Sequence, residues 1–413
     1  MLTSESVVEI PPTAGLPLYL KDLFPSWSEN FSTQLAKFIG VSTVGVECSG
    51  TASLIIILET LSRLSTRKTV VIPAYTCPLV VFAIVKSRLQ LRVCDICPDS
   101  FDLDLDQLAK LCDRDTLAII PAHLGGRVAD LNPILALARH CGAYVIEDAA
   151  QALGARYQGK SVGLLGDAGF FSLAAGKGLS IFEGGGWIAA DAELRAELRR
   201  TSQQIIPAHL GREALRCLQL AGYAAAYRPH ALQYIYGNSL RRALRRSDPI
   251  AAAGDYFSSN IPLHRVSAWR QSVGSRALLR LPDFQRDLAH QAAIRLPELT
   301  RIPGIKILTD PPGATGTWPI FMAELPNEKL CNQVLEELWG AGLGVARMFA
   351  YALPDYEYLR AWVREQSVPN AKRFAACSIT ISNSLWLNEA SFERIVAILS
   401  RHCRSESVRS DGR

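Results

Sequence analysis

One lysine, Lys177, stands in the run FFSLAAGKGLSIFEGGG (170–186) among small and apolar residues, and no other lysine lies between Lys160 and Lys306. A lysine held out of water in such a setting has a lowered pKa and becomes a competent Schiff-base nucleophile. Upstream by 29 residues, Asp148 closes the apolar stretch YVIED. A carboxylate at the carboxyl end of a strand either pairs with a protonated heterocyclic nitrogen of a cofactor or caps the turn that follows. Gln151, three residues on, faces the same site if a helical turn begins there. A third segment, ECSGTA (47–52), precedes an apolar helical stretch. Its small residues free backbone N–H groups at the positive end of a helix dipole, which makes either a phosphate cradle or a plain N-cap. A phosphate cradle, a pyridinium-pairing aspartate and a Schiff-base lysine are together the parts that a pyridoxal-phosphate site requires.

The elements that must position these residues alternate along the chain. Segments 69–73, 90–96, 117–121 and 143–146 read as short, mostly apolar strands; 51–65, 103–111 and 133–141 read as helices between them. Buried strands separated by helices predict an α/β fold with a mostly parallel sheet covered on both faces, whose ligands sit at the carboxyl ends of the strands. Residues 1–25 read as an irregular segment. A large domain is expected over 26–265 and includes a helical insert at 205–250. A long connecting helix (268–300) and a small C-terminal α+β lobe are expected over 266–403, with a disordered tail at 404–413.

The stretches CSGTASL, VIPAYTCP, DICPDSFDLDLDQL, IIPAHLGGRVADL, VIEDAAQALGARYQGKSVGLLGDAGFFS and KGLSIFEGGG occur in order over most of the chain. In these the sequence resembles the DegT/DnrJ/StrS family of pyridoxal-phosphate-dependent sugar aminotransferases. The resemblance implies transferase fold type I and a homodimer with active sites at its interface. It implies that Lys177 forms the Schiff base and acts as the general base, Asp148 holds the pyridine nitrogen, Gln151 contacts the ring, and Gly50, Thr51 and Ser172 bind the phosphate. It also implies an amino donor, glutamate or glutamine, and a keto-sugar acceptor, nucleotide-linked in the leading reading. Alternatives are a non-nucleotide ketone such as a cyclitol, or a catalytically inactive family member serving as a regulatory or scaffolding subunit.

Three positions depart from the family pattern. Cys77 stands where members place a ring-stacking aromatic, with Tyr75 two residues away as a substitute; Gly178 follows the lysine where many have Asn; and Leu263-His264-Arg265 replaces Asn-x-Arg. Arg347, in GLGVARMF, is a candidate clamp for a substrate carboxylate or a partner in a structural ion pair. His123, at the end of a strand, reads as a satisfied buried histidine or a buttress to the cofactor.

The 413 residues are 49% hydrophobic and 20% charged, as in an ordinary globular chain. Ten dispersed cysteines with apolar neighbours, including Cys94 and Cys97, read as structural thiols of a cytoplasmic protein, and no metal site is expected. The acidic beginning and the lack of a long apolar run predict neither a secretory signal nor a spanning helix. A net charge of +5 is too small for this size to imply a nucleic-acid partner. Residues 205–250 alone hold seven arginines against Glu213 and Asp248, or 7 − 2 = +5. That insert reads as packed helices with exposed arginines, or as a surface for a diphosphate-bearing substrate or for anionic lipid at a membrane face.

Overall fold

The computed structural model describes residues 8–24 and 30–410. Nine strands arise in the first half of the chain: β1 (Gly45–Glu47), β2 (Thr69–Pro73), β3 (Gln90–Cys94), β4 (Thr116–Ile119), β5 (Tyr144–Asp148), β6 (Arg156–Tyr157), β7 (Lys160–Ser161), β8 (Ala168–Ser172) and β9 (Gly185–Ala189). Seven of them form one sheet in the order β1-β9-β8-β5-β4-β2-β3. The five strands from β3 across to β8 run parallel, and β9 and β1 close the far edge antiparallel. Strands β2, β4 and β9 are buried at every position, so both faces of the sheet are covered and each strand reads as an apolar run rather than an alternation.

The helix Gly50–Leu64 packs across this sheet with ten of its fifteen residues buried. Parallel pairing brings the carboxyl ends of β5 and β8 side by side, with Asp148 opposite Phe170.

A second sheet, β10 (Lys306–Ile307), β12 (Ile320–Glu324), β14 (Ser378–Ser382) and β13 (Val345–Ala346), forms the small C-terminal lobe. It packs against the helices Glu328–Leu338 and Glu389–Ser410. The short strand β11 (Ala314–Thr315) leaves this lobe to pair with β6 of the large one.

Several elements depart from expectation. The insert at 205–250 folds as four short helices, Leu210–Ala226, Pro229–Leu232, Asn238–Arg245 and Pro249–Ala253, with a π-helical turn at Gln233–Gly237, rather than one or two. The connecting segment is two helices, Ala268–Leu278 and Leu281–Thr300, because Pro282 favours a helix start at Leu281. Pro297, expected as the stop, lies within the second helix one turn from its end. The tail expected to be disordered from 404 is helical through Ser410, and residues 411–413 lie outside the described residues. Gly-rich β9 was not legible as a strand; its glycines are required by close backbone approach, as shown below.

The two lobes are fastened by Arg127. This buried guanidinium pairs with Asp310 at 2.6 Å and stacks on Trp318 with its central carbon 3.3 Å from the ring centroid. Asp310 also accepts from Val128 N–H (3.0 Å) and Gly316 N–H (2.8 Å). Trp318 adopts a left-handed backbone conformation (φ 50°), a strained state for a large side chain that the surrounding contacts must hold in place. Removing one partner of a buried ion pair leaves the other charge uncompensated. Asp310→Ala is therefore expected to lower stability by about 3–5 kcal/mol in urea denaturation, and the paired change Arg127→Met with Asp310→Leu should recover most of that loss.

Candidate active site

A narrow cleft of about 20 Å³ opens near the carboxyl ends of β5 and β8, lined by Gln151, Ser172, Lys177 and Gly178 together with Ala14, Thr317, Pro319, Gln285 and their neighbours. Three of the residues expected from sequence, Gln151, Ser172 and Lys177, thus face one space.

Burial lowers the pKa of Lys177 from its ordinary value, while Cys77 and the negative charge of Asp148 draw it back up. Asp148 is 6% exposed and burial pushes its carboxyl up to about 6, against the hydrogen bond from Ala150 N–H (3.0 Å) and the attraction of Lys177 and His123. The two groups therefore share one low-dielectric site, and each favours the charged form of the other.

The neighbouring carboxylate points to the opposite face of β5, as alternation along a strand requires. Glu147 accepts from Gly163 N–H (2.6 Å) and Gly166 N–H (2.7 Å), and its third partner is His123 Nε2 at 3.0 Å. Because Ala129 N–H donates to His123 Nδ1 (3.0 Å), the ring proton lies on Nε2 and donates to Glu147. His123 is thus fully satisfied and buried, and it braces the end of β5 from behind through its own backbone N–H to Asp148 C=O (2.9 Å).

The helix Gly50–Leu64 begins next to Ser172. Ser49 caps it by accepting from Ala52 N–H at 3.0 Å, and Ser53 N–H bonds to Ser49 C=O at 3.1 Å. Ser53 N–H thus makes the helix's first internal bond, and the N–H groups of Gly50 and Thr51 stand in the first turn ahead of it, where a helix start offers donors to an anion. A Cβ placed on Gly50 would lie 3.3 Å from the Ser172 Cβ, so the two halves of the cradle adjoin. On β9, a Cβ at Gly185 would fall 2.3 Å from Gly50 N and 2.4 Å from Ser49 C. Only glycine lets the strand pass this close to the helix terminus. These features fit the phosphate, ring nitrogen and aldehyde of pyridoxal phosphate, with Gly50, Thr51 and Ser172 at the first, Asp148 at the second and Lys177 at the third.

The side-chain oxygen of Gln151 accepts from Gly125 N–H (2.8 Å) and so ties this residue to the turn before Arg127. That turn in turn holds the small lobe, since Thr317 N–H bonds to Gly126 C=O (3.0 Å) and Thr317 and Pro319 wall the cleft. The N-terminal segment reaches the same wall. Ala14 N–H bonds to Pro319 C=O (3.0 Å) and Leu16 N–H to Gly178 C=O (3.2 Å). No local pattern in the sequence marks Ala14, Thr317 or Pro319, because each lines the cleft only through contacts between distant segments.

Two expected substrate residues lie elsewhere. Tyr75 is fully buried between the lobes, edge-on to Phe349 (5.3 Å) and Phe374 (4.9 Å), and so does not replace the missing aromatic. Cys77, at the start of the helix Pro78–Lys86, is the residue of that segment near the site: burial pushes its thiol up to about 12, with Asp148 and Lys177 both acting on it. Arg347 spends its donors inside the small lobe, on Ala375 C=O, Ala376 C=O (3.3 Å) and Asn332 Oδ1 (2.8 Å), and borders a different cavity, alongside Arg245 and Lys372. His264 is also turned inward. Its Nε2 is 3.2 Å from Glu213, which Arg270 grips through two nitrogens (2.7 and 2.8 Å).

The model of the DegT/DnrJ/EryC1/StrS aminotransferase family matches residues 26–400. The chain belongs to that family. Members similar to it include the protein MosB of Rhizobium meliloti, 36% identical over 169 residues that make up 41% of this chain and 33% of that protein. The L-glutamine:scyllo-inosose aminotransferase of Streptomyces griseus is 28% identical over 62% of this chain and 63% of its own length. The chain spans about a third of the length of the curated relatives it matches first. In three dimensions it is similar to the sugar aminotransferase CalS13 of Micromonospora echinospora (TM-score 0.71, 20% identity, 95% of this chain and 100% of that one). It is also similar to DesI determined with its TDP-sugar product (TM-score 0.72, 20% identity, 98% and 96% covered). These likenesses establish the shared fold, that of the fold-type-I pyridoxal-phosphate aminotransferases.

Two outcomes test the site. Gly185→Ala should push the helix start away from Ser172 and weaken pyridoxal-phosphate binding roughly tenfold or more in a spectroscopic titration. Asp148 has a folded-state pKa of about 6 against an ordinary 3.8, so the native cofactor-free protein holds its proton more tightly than the unfolded chain does. The stability this group contributes is full below 3.8 and is lost as pH rises through about 6. Asp148→Asn, always neutral, should therefore gain stability relative to wild type across that window, read by urea denaturation of the cofactor-free protein at each pH. A difference independent of pH would refute the assignment.

Proposed function

We propose that this protein is a pyridoxal-phosphate-dependent aminotransferase. It would move an amino group from glutamate or glutamine to a ketone on a polyhydroxylated ring, in the leading reading a nucleotide-linked keto-sugar. The observation that carries this reading is the union of Lys177, Asp148 and the Gly50/Thr51/Ser172 cradle at adjoining strand ends. Bound there, the cofactor supplies an electron sink for the carbon that loses its proton.

The chain's own residues do the rest. The helix N-terminus and Ser172 fix the phosphate end and so set the cofactor's register along the cleft. Asp148, whose carboxyl burial pushes up to about 6, is drawn back down when a protonated ring nitrogen sits beside it, and keeps that nitrogen charged. Lys177, whose pKa burial lowers, gives up its proton more readily than an exposed lysine and would hold the cofactor's aldehyde. Once the donor displaces it, it carries a proton between the substrate carbon and the cofactor. Gly125 holds Gln151 at the cleft through its N–H, and Thr317 and Pro319 wall one side.

Relatives support both acceptor classes. One, from Acidithiobacillus ferrooxidans, is a UDP-N-acetyl-3-dehydro-alpha-D-glucosamine 3-aminotransferase, 36% identical over 40% of this chain. The scyllo-inosose enzyme of Streptomyces griseus favours the second reading, a free cyclitol ketone, through its longer alignment. The retained lysine and aspartate weigh against an inactive scaffold.

Added pyridoxal phosphate should give the purified protein a visible absorption band that Lys177→Ala abolishes. Glutamine or glutamate should then bleach the band, and a suitable ketone should restore it. A protein that stays colourless defeats the enzyme reading. Restoration by inososes but by no nucleotide-linked keto-sugar would replace the leading acceptor with the second.

A further inference from the structure

The +5 of the chain resolves, in the fold, into a small set of unpartnered charges on the insert. Of its acids, Glu213 is buried on Arg270, and Asp248 caps the helix Pro249–Ala253 by accepting from Ala251 N–H (2.9 Å). Three of its arginines are spent within the molecule. Arg216 pairs with Glu183, Arg228 donates to Leu18 C=O (2.6 Å), and Arg241 pairs with Glu9 at 2.8 Å. The side chains of Arg242, Arg245 and Arg246 are exposed and make no ion pair or hydrogen bond among the described residues, and the half-buried side chain of Arg212 makes none either.

The same segment exposes large apolar side chains. Leu215 and Leu218 are 51% and 71% exposed on the helix Leu210–Ala226, and Tyr234 and Ile235 are 72% and 58% exposed on the π-helical turn that leads into the arginine-bearing helix Asn238–Arg245. On the first helix the stripe Gly211, Ala214, Leu215, Leu218, Gly222 and Ala225 recurs at intervals of one to four residues, is exposed throughout and carries no charge. No helix of the described residues is long and apolar enough to cross a membrane. The segment is also joined to the catalytic loop: Gly176 N–H donates to Tyr223 Oη (3.2 Å) and Glu183 pairs with Arg216.

We propose that the insert, 210–246, docks this protein on the surface of an anionic lipid bilayer. The occupant follows from charge complementarity. Arginines without an ion pair, carried on the same insert as exposed leucine, isoleucine and tyrosine and with Glu213 and Asp248 turned to internal partners, match an interface that offers phosphate head groups and acyl chains together, although Arg245 also borders the cavity that holds Glu328, Glu336 and Asp355. A polynucleotide would use the arginines but leave the apolar stripes in water. Arg241 is excluded from the docking set, because Glu9 already holds it.

The test uses the full-length protein loaded with pyridoxal phosphate and flotation with vesicles of phosphatidylcholine alone or mixed with phosphatidylglycerol. Wild type should float with the mixed vesicles, less so as salt rises, and weakly with phosphatidylcholine alone. The triple variant Arg242→Ser, Arg245→Ser, Arg246→Ser should lose on the order of a hundredfold in partitioning at low salt. Tyr234→Ser with Ile235→Ser should lose about tenfold or more at every salt concentration. Unchanged cofactor absorption in each variant verifies folding. Absence of wild-type flotation, or equal flotation of wild type and variants, overturns the proposal. So does a result in which Leu215→Ser with Leu218→Ser splits a two-copy assembly in sedimentation velocity while vesicle binding is unaltered, since the apolar stripe then seats a second copy.

Discussion

Two groups of opposite charge, Asp148 and Lys177, are held out of water beside the carboxyl ends of neighbouring strands, and most of the architecture can be understood from what that requires. Burial works against the charge of each: the carboxyl is pushed up to about 6 even with Lys177 beside it, and the pKa of the amine is lowered. Keeping both near their working protonation states demands that they sit in one enclosure with fixed dipoles nearby. A parallel sheet meets this demand because its strand ends lie in one row, and the helix that follows a strand brings its positive end to the same row. The close passage of β9 over the start of the helix Gly50–Leu64, possible only at Gly185, locks that positive end beside Ser172.

The rest of the cleft is made by distant segments held against this row. Arg127 links Asp310 and Trp318 of the segment entering the small lobe to the turn whose Gly125 fixes Gln151. The same contacts that join the lobes therefore also set the wall formed by Thr317 and Pro319. Glu147, one residue from Asp148, works on the opposite face of the strand, where His123 and two backbone N–H groups satisfy it. One strand end thus carries a structural carboxylate and a functional one, separated only by the alternation of side chains.

The departures from the family pattern have distinct structural outcomes. Tyr75 belongs to the packing between lobes, with Phe349 and Phe374, and leaves Cys77 as the residue near the charges of the site. His264 takes an internal place against Glu213, which also anchors Arg270 and, through it, the carbonyls of Ile181 (3.2 Å) and Glu183 on the loop that follows Lys177. Arg347 is committed to carbonyls of its own lobe, so a guanidinium in a promising motif proves to be a brace.

Much of this was legible in the chain itself. Apolar runs of strand length between helical ones specify a covered parallel sheet, because only a strand buried on both faces needs no polar alternation. Lys177, Asp148, Gln151 and the 47–52 segment declare themselves because their chemistry depends on residue type within a local run of backbone. What the sequence could not decide is where side chains from separate segments point. Tyr75 and Arg347 share residue type and neighbourhood with functional groups, and only packing sends one into the interlobe core and the other to helix-end carbonyls. Ala14, Thr317 and Pro319 have no chemistry of their own, and they become walls of the cleft through hydrogen bonds spanning most of the chain. The seven arginines of the insert look alike in sequence, yet Arg216, Arg228 and Arg241 find internal side-chain partners, whereas Arg212, Arg242, Arg245 and Arg246 do not among the described residues. Local pattern fixes the element and its reactive group, whereas partner choice depends on long-range contacts that exist only once the chain has closed.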